Sequence, residues 1–153
     1  MSKKAILISA NPNYGTGGDV NKHKEHADKF GKVFWPLIPP GDRDIKWAHD
    51  DIEKGYFYTS GTSKKIQYEF LIDKAGKISD FEFENHKRYI HEDREWLWKK
   101  PKCGYRYALL ITNINKLTHE ISLDKFTLAR TNEPVKRVMN YVIVKDKISS
   151  RGS

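Results

Sequence analysis

The 153-residue sequence contains a single cysteine, Cys103. One cysteine excludes an intrachain disulfide framework and a cysteine-rich zinc site. The sequence also has no apolar run near the ~18 residues that a membrane-spanning helix needs. Its first apolar stretch, AILIS at residues 5–9, is shorter than the hydrophobic region of a secretory signal. We therefore expect a cytoplasmic protein that does not associate with membranes.

Internal repeats, low-complexity stretches and long Pro/Gly-rich linkers are also missing from the chain. Without a linker there is no candidate boundary between domains. We expect one domain over residues 1–148. Residues 149–153 (SSRGS) are small and polar and indicate a disordered tail or a remnant of cloning.

Acidic residues are fewer than basic ones: 20 Asp and Glu stand against 28 Lys and Arg, a formal charge of +8. A domain with this excess often binds a polyanion, because each phosphate that it neutralises releases condensed counterions. The alternative is a charge that serves solubility, or the lysine enrichment typical of thermophile-like compositions. The charges are spread along the chain rather than collected in a basic tail, which favours a basic face.

Aromatic residues are plentiful, with four Trp, eight Tyr and seven Phe, and they argue against disorder. Alternating apolar residues over 66–72 are the clearest strand signal, and 74–77 predict a turn after it. Pro36 requires an edge position for its strand. Further strands are predicted at residues 5–9, 33–37, 56–58, 78–83, 105–115 and 141–144, with a short extended segment at 121–126.

Helices are predicted over residues 20–30, capped by Asp19 and ended by Gly31, and over 135–140, where Pro134 suits the first turn. A helical turn is also expected within 84–94. Together, these strands and helices predict a mainly β protein with flanking helices (α+β). A small closed or nearly closed barrel would leave few exposed strand edges in such a chain.

Motifs for cofactor, metal or nucleophilic chemistry are missing. The glycine-rich residues 15–18 (GTGG) lack the ending of a phosphate-binding loop, so a flexible loop is expected. His23 and His26 lie three apart without a third ligand, and the other four histidines show no ligand spacing; we expect solvated surface histidines. Cys103 follows Lys102, and a packed, inert thiol is expected. We expect no cofactor and no metal.

Several aromatic residues lie outside apolar runs, where core residues normally occur. Trp47, Trp96 and Trp98 stand among charged residues, Trp35 precedes a proline-rich loop, and Tyr58 ends a strand. Indole rings beside Lys and Arg suit stacking on a nucleobase or enclosing a cationic group. The alternative is that these rings close the ends of the barrel.

Residues 59–65 (TSGTSKK) connect two predicted strands. Such a hairpin tip offers backbone N–H groups, hydroxyl groups and two lysines to a phosphate or a base edge. An ordinary polar turn is the alternative interpretation.

Five short phrases of the chain resemble the PUA-like superfamily, most closely its EVE, YTH and ASCH branches. They are ISANP at 8–12, VFW at 33–35, GYFYTSG at 55–61, IQYEF at 66–70 and ISLDKF at 121–126. The resemblance extends from about residue 5 to residue 145 and implies a pseudobarrel of about five or six strands. In EVE-like and YTH-like relatives, a pocket beside the barrel takes an extruded, modified base.

The resemblance implies the following base-binding and phosphate-binding residues: Trp35 and Trp47 as pocket rings, Tyr58 and Ser60 at the pocket floor, Asn11 at the base edge, and Arg43, Lys64 and Lys65 on flanking phosphates. Trp96 and Trp98 are alternative rings, since the three-ring cage of YTH relatives does not align in full. The expected partner is RNA or DNA carrying a modified or flipped base. DNA or RNA, the modification and the oligomeric state stay open.

Two other functions remain possible on the sequence alone. Small ASCH-type relatives include amidohydrolases that act on acylated nucleosides, and Thr62, Lys65 and Glu69 are the matching catalytic candidates. A lysine in that role needs burial or a cationic neighbour such as Lys64. The third possibility is a scaffold that binds no nucleic acid. The sequence favours the binding module over the enzyme.

Overall fold

The structure, a computed structural model, describes residues 4–10, 20–37, 52–59, 65–77, 81, 83–91, 107–129, 131–136, 138 and 141–145. Within these ranges the chain forms six strands and two α-helices. Their order is β1 (Lys4–Ala10), α1 (Val20–Phe30), β2 (Val33–Leu37), β3 (Lys54–Thr59), β4 (Lys65–Lys77), α2 (Phe83–His86), β5 (Tyr107–Ser122) and β6 (Tyr141–Lys145). Single 3₁₀ turns occur at Lys87–Tyr89 and Leu123–Lys125.

The strands form one mixed sheet in the order β2-β5-β4-β3-β1-β6. β1 pairs in parallel with β3, and the other four pairings are antiparallel. β2 lies at an edge of this sheet, the position that Pro36 requires. The result is the mainly β, α+β pseudobarrel that the sequence predicts, with the sheet open between β2 and β6 in the described part of the chain.

Both faces of the sheet are covered, so strands such as β1 are apolar at successive positions. Ile6 belongs to core cluster 1, with Trp35, Phe57 and Phe70, whereas the adjacent Leu7 belongs to core cluster 2. Core cluster 2 also holds Tyr56, Tyr58, Phe126 and Val144. A third cluster joins Phe34, Phe81 and Ile90 under β5.

The predicted helix over residues 20–30 is confirmed. Gly31 ends it with φ = +92°, and the Gly31 N–H donates to the Ala27 carbonyl at 2.7 Å. Tyr68 on β4 donates its hydroxyl hydrogen to Asn21 Oδ1 at 2.9 Å, which ties the helix to the sheet. Among the residues described here, no helix is long and apolar enough to cross a membrane.

Three local predictions were wrong. Residues 74–77 do not form a turn. They continue β4 and pair with residues Leu110 to Tyr107 of β5. A register shift between Ile72 and Lys74 keeps the two strands aligned. Phe83 begins α2 rather than continuing a strand. Val135 is not helical, since its N–H donates to the Phe126 carbonyl at 3.0 Å.

Candidate nucleic-acid interface

The parallel pair β1 and β3 brings two of the predicted site segments to one end of the sheet. Ala10 stands opposite Thr59, and Ser9 stands opposite Tyr58. Asn11 and Ser60 follow these two strands in the sequence, and the described ends of β1 and β3 lie side by side. Lys65 begins β4 opposite Thr59. We call this place, where Ala10, Thr59 and Lys65 meet, the β1–β3 end.

Lys65 is exposed at the β1–β3 end and pairs in register with Ser122 on β5. A lysine ammonium is a point charge, the kind of group that the expected contact with a phosphate requires. Tyr58 is different: it is 7% exposed and belongs to core cluster 2. The structure therefore places Tyr58 beneath the surface of this end.

Trp35 is 4% exposed and belongs to core cluster 1. Its ring centroid lies 4.7 Å from that of His23 and 4.6 Å from that of Phe57. Trp35 and Tyr58 are therefore in different clusters, and the described residues do not bring these two rings together.

The remaining candidates lie outside the described residues, and their roles stay predictions. They are Asn11, Arg43, Trp47, Ser60, Thr62, Lys64, Trp96 and Trp98.

A group of histidines was missed by the sequence reasoning, which expected solvated side chains. His23 is fully buried and His91 is 8% exposed. Their rings stack with centroids 4.9 Å apart, and His26 lies 5.6 Å from His91. A signal was available, because Val20, His23 and Ala27 share the apolar stripe of α1.

These histidines pack as rings rather than converge as ligands. Across the ranges listed above, no group of three His, Cys, Asp or Glu side chains is arranged to hold a metal ion. His23 lies against Trp35 and stacks on His91, which makes His23 part of the packing between α1 and the sheet.

Glu69, the candidate catalytic carboxylate, lines a small cleft on the outer part of the sheet. Its Oε2 lies 3.2 Å from Lys54 Nζ. The cleft has a volume of about 170 Å³, and its lining residues are Lys54, Glu69, Phe70, Leu71, Asn113 and Asn115. Lys65 is four residues away along β4, roughly 13 Å at the rise of a strand. Glu69 therefore meets Lys54 and not Lys65.

Comparison with known proteins gives matches of one kind, to solved structures. No family model matches the chain, and no curated protein matches it significantly. Solved structures do match: ASCH from Zymomonas mobilis, at 14% identity and a TM-score of 0.42, covers 79% of this chain and 75% of that chain. A serine-to-alanine variant of the same protein, at 12% identity and a TM-score of 0.45, covers 99% of this chain and 94% of that chain.

The structural neighbours are ASCH domain proteins. ASCH is one of the three branches of the PUA-like superfamily that the sequence phrases resemble. The roles of individual residues in this chain rest on its own geometry.

Proposed function

We propose that this protein is a nucleic-acid-binding module that takes a modified or flipped base into a pocket at the β1–β3 end. The observation that carries the proposal is the register of β1 and β3, with Ala10 opposite Thr59. β1 and β3 end side by side there, immediately before Asn11 and Ser60 in the sequence, and Lys65 adds a cation. Asn11 would contact the base edge, and Ser60 would contribute to the pocket floor.

The mechanism requires no bond to be made or broken. Removing a base from its stack costs a few kcal/mol. Stacking on an aromatic ring, at roughly 1–3 kcal/mol per base, offsets that cost. Since Trp35 and Tyr58 are buried, the stacking faces would come from Trp47, Trp96 or Trp98.

The charge of the chain supports the same partner. Its excess of eight positive charges would attract the phosphates that flank the base, and Arg43, Lys64 and Lys65 are the residues proposed to hold them. Each phosphate contact to a single strand contributes about −0.7 to the slope of log affinity against log salt. A module that holds three phosphates therefore has a slope near −2.

The test is binding to labelled RNA and DNA strands, with and without base methylation, at two salt concentrations. We expect salt-dependent binding that Asn11→Ala weakens about tenfold, since a lost base-edge contact costs ~1–3 kcal/mol. Asn115→Ala is the matched control, because Asn115 is exposed and lines the cleft around Glu69. Equal affinity of the Asn11→Ala variant and the wild type would contradict the proposed pocket. Absence of binding to every strand at low salt would favour a scaffold.

An amidohydrolase acting on a modified nucleoside is the second candidate, and the Lys54–Glu69 ion pair favours it. The pair lies in a cleft with two carboxamides, from Asn113 and Asn115, which is a polar setting for a small planar substrate. The assay measures the release of acid from an acylated nucleoside. If Glu69→Gln abolishes this release and Glu120→Gln retains it, the amidohydrolase replaces the binding proposal. Glu120 is an exposed control on β5.

A further inference from the structure

One aromatic side chain of the described residues stands out by its exposure. Phe30 is 41% exposed at the last residue of α1. The other large hydrophobic side chain exposed in these ranges is Leu71, at 44%. A single exposed apolar side chain is ordinary on a protein surface. The neighbours of Phe30 distinguish it from Leu71.

Phe30 contacts one ring and one cation of α1, and the same ring joins α1 to the 3₁₀ turn at Lys87–Tyr89. The His26 ring lies 4.6 Å from the Phe30 ring, and Lys29 Nζ lies 5.2 Å from the Phe30 centroid. A ring nitrogen of His26 lies 2.7 Å from the Arg88 carbonyl oxygen. The two elements therefore present one continuous surface.

Tyr89, in the same 3₁₀ turn as Arg88, contacts two cations. The Arg88 guanidinium lies 5.6 Å from the Tyr89 centroid, and Lys32 Nζ lies 5.8 Å from it. Contacts of this kind hold long cationic side chains against rings instead of leaving them extended into solvent. We call the set His26, Lys29, Phe30, Lys32, Arg88 and Tyr89 the α1–3₁₀ surface.

The charge of this region is positive. α1, Lys32, Asp73 and residues 83–91 together carry six Lys or Arg against four Asp or Glu. Asp73 is bonded to Lys32 at 3.0 Å, and Glu84 to Lys87 at 3.3 Å. Lys29 and Arg88 contact aromatic rings instead. Their charges remain available to an anionic partner.

We propose that the α1–3₁₀ surface binds a single-stranded segment of nucleic acid, with one base stacked on Phe30 and adjacent phosphates near Lys29 and Arg88. This inference rests on the proposed function and adds a second contact to it, away from the base pocket. Exposed rings flanked by cations suit single strands, because a base in a duplex already stacks on its neighbours and cannot offer its face.

The experiment measures binding of the full chain to an unmodified, labelled 12-nucleotide RNA, to the DNA of the same sequence and to the corresponding duplex. The wild type binds the single strands more tightly than the duplex. Phe30→Ala weakens single-strand binding about tenfold, which is within the range for loss of one stacked base. Phe30→Trp retains the affinity, and Phe30→Leu loses it as Phe30→Ala does, because leucine is apolar but has no ring face.

Two controls separate stacking from other effects. Leu71→Ala removes the other exposed hydrophobic side chain and leaves binding unchanged. Arg88→Gln reduces the magnitude of the salt slope by about 0.7, the value for one phosphate on a single strand, whereas Lys125→Gln leaves the slope unchanged. Circular dichroism of each variant verifies the fold.

The outcomes distinguish this inference from the proposed function. If the wild type binds strands but Phe30→Ala binds equally well, the α1–3₁₀ surface is not a contact and the base pocket stands. If Phe30→Leu binds the single strands with the affinity of the wild type, Phe30 makes an apolar contact and the stacking of a base on it is overturned. If the wild type binds no unmodified single strand at low salt, this inference fails, whereas the base pocket is decided by the methylated strands of the test given above. Preference for the duplex over single strands also overturns this inference.

Discussion

Replacing Trp35 with alanine is expected to lower the free energy of unfolding by about 3–5 kcal/mol, the usual cost of deleting a large buried aromatic side chain. Trp35 is 4% exposed and packs against His23 and Phe57 in core cluster 1. Alanine would leave a cavity between α1 and the sheet that neither element can close. Urea denaturation followed by far-UV circular dichroism measures the loss.

Trp35→Phe is the control, because it keeps a ring in contact with His23 and Phe57. We expect it to cost about 1–2 kcal/mol, less than the alanine variant because the residual cavity is smaller. A loss below about 1 kcal/mol for Trp35→Ala would mean that the indole is not part of the core. The result also decides how a binding test on Trp35 is designed, since only the phenylalanine variant removes the indole while keeping the fold.

Replacing Gly55 with alanine is expected to cost about 1–3 kcal/mol, and more if the sheet cannot adjust. Gly55 stands opposite Phe70 in the β3–β4 pairing, and the Phe70 ring lies over it. A Cβ atom there would lie 2.2 Å from Phe70 Cζ and 2.8 Å from Ile6 Cγ2. Both partners are buried in core cluster 1 and have little room to move. Urea denaturation measures the change in the free energy of unfolding, with the same m-value expected for the variant and the wild type.

A double-mutant cycle tests whether the Phe70 ring causes this loss. Phe70→Leu destabilises the protein by itself, but it removes the ring atoms that the new methyl group would meet. Gly55→Ala should therefore cost less in the Phe70→Leu background than in the wild type, with a coupling energy of about 1 kcal/mol or more. Equal costs in the two backgrounds would show that the Phe70 ring moves aside.

Local patterns were informative where a segment's structure depends on its own residues. The apolar run of β1, the alternation over residues 66–72 and the Gly31 stop of α1 all predicted elements that the structure contains. The pattern failed at residues 74–77. Lys-Ala-Gly-Lys is a turn by composition, but pairing with β5 extends the strand through it.

The candidate site was predictable only in part. Hairpin composition indicated the segment at 59–65, and the resemblance indicated Asn11, but neither showed that Ala10 and Thr59 are neighbours. The sequence offered Glu69 and Lys65 as candidates for one catalytic group, but it did not indicate that Glu69 forms an ion pair with Lys54 on the adjacent strand.

The sequence by itself determined the fold class, the positive charge and most strand positions, because periodicity, composition and chain charge are local or additive properties. Tertiary structure alone decided which residues meet: the parallel pairing of β1 with β3, the burial of Trp35 and His23, and the contact of His26 with the Arg88 carbonyl. A period of two or of 3.6 residues shows which side chains share a face. It does not show what covers that face, because the covering residues come from distant parts of the chain.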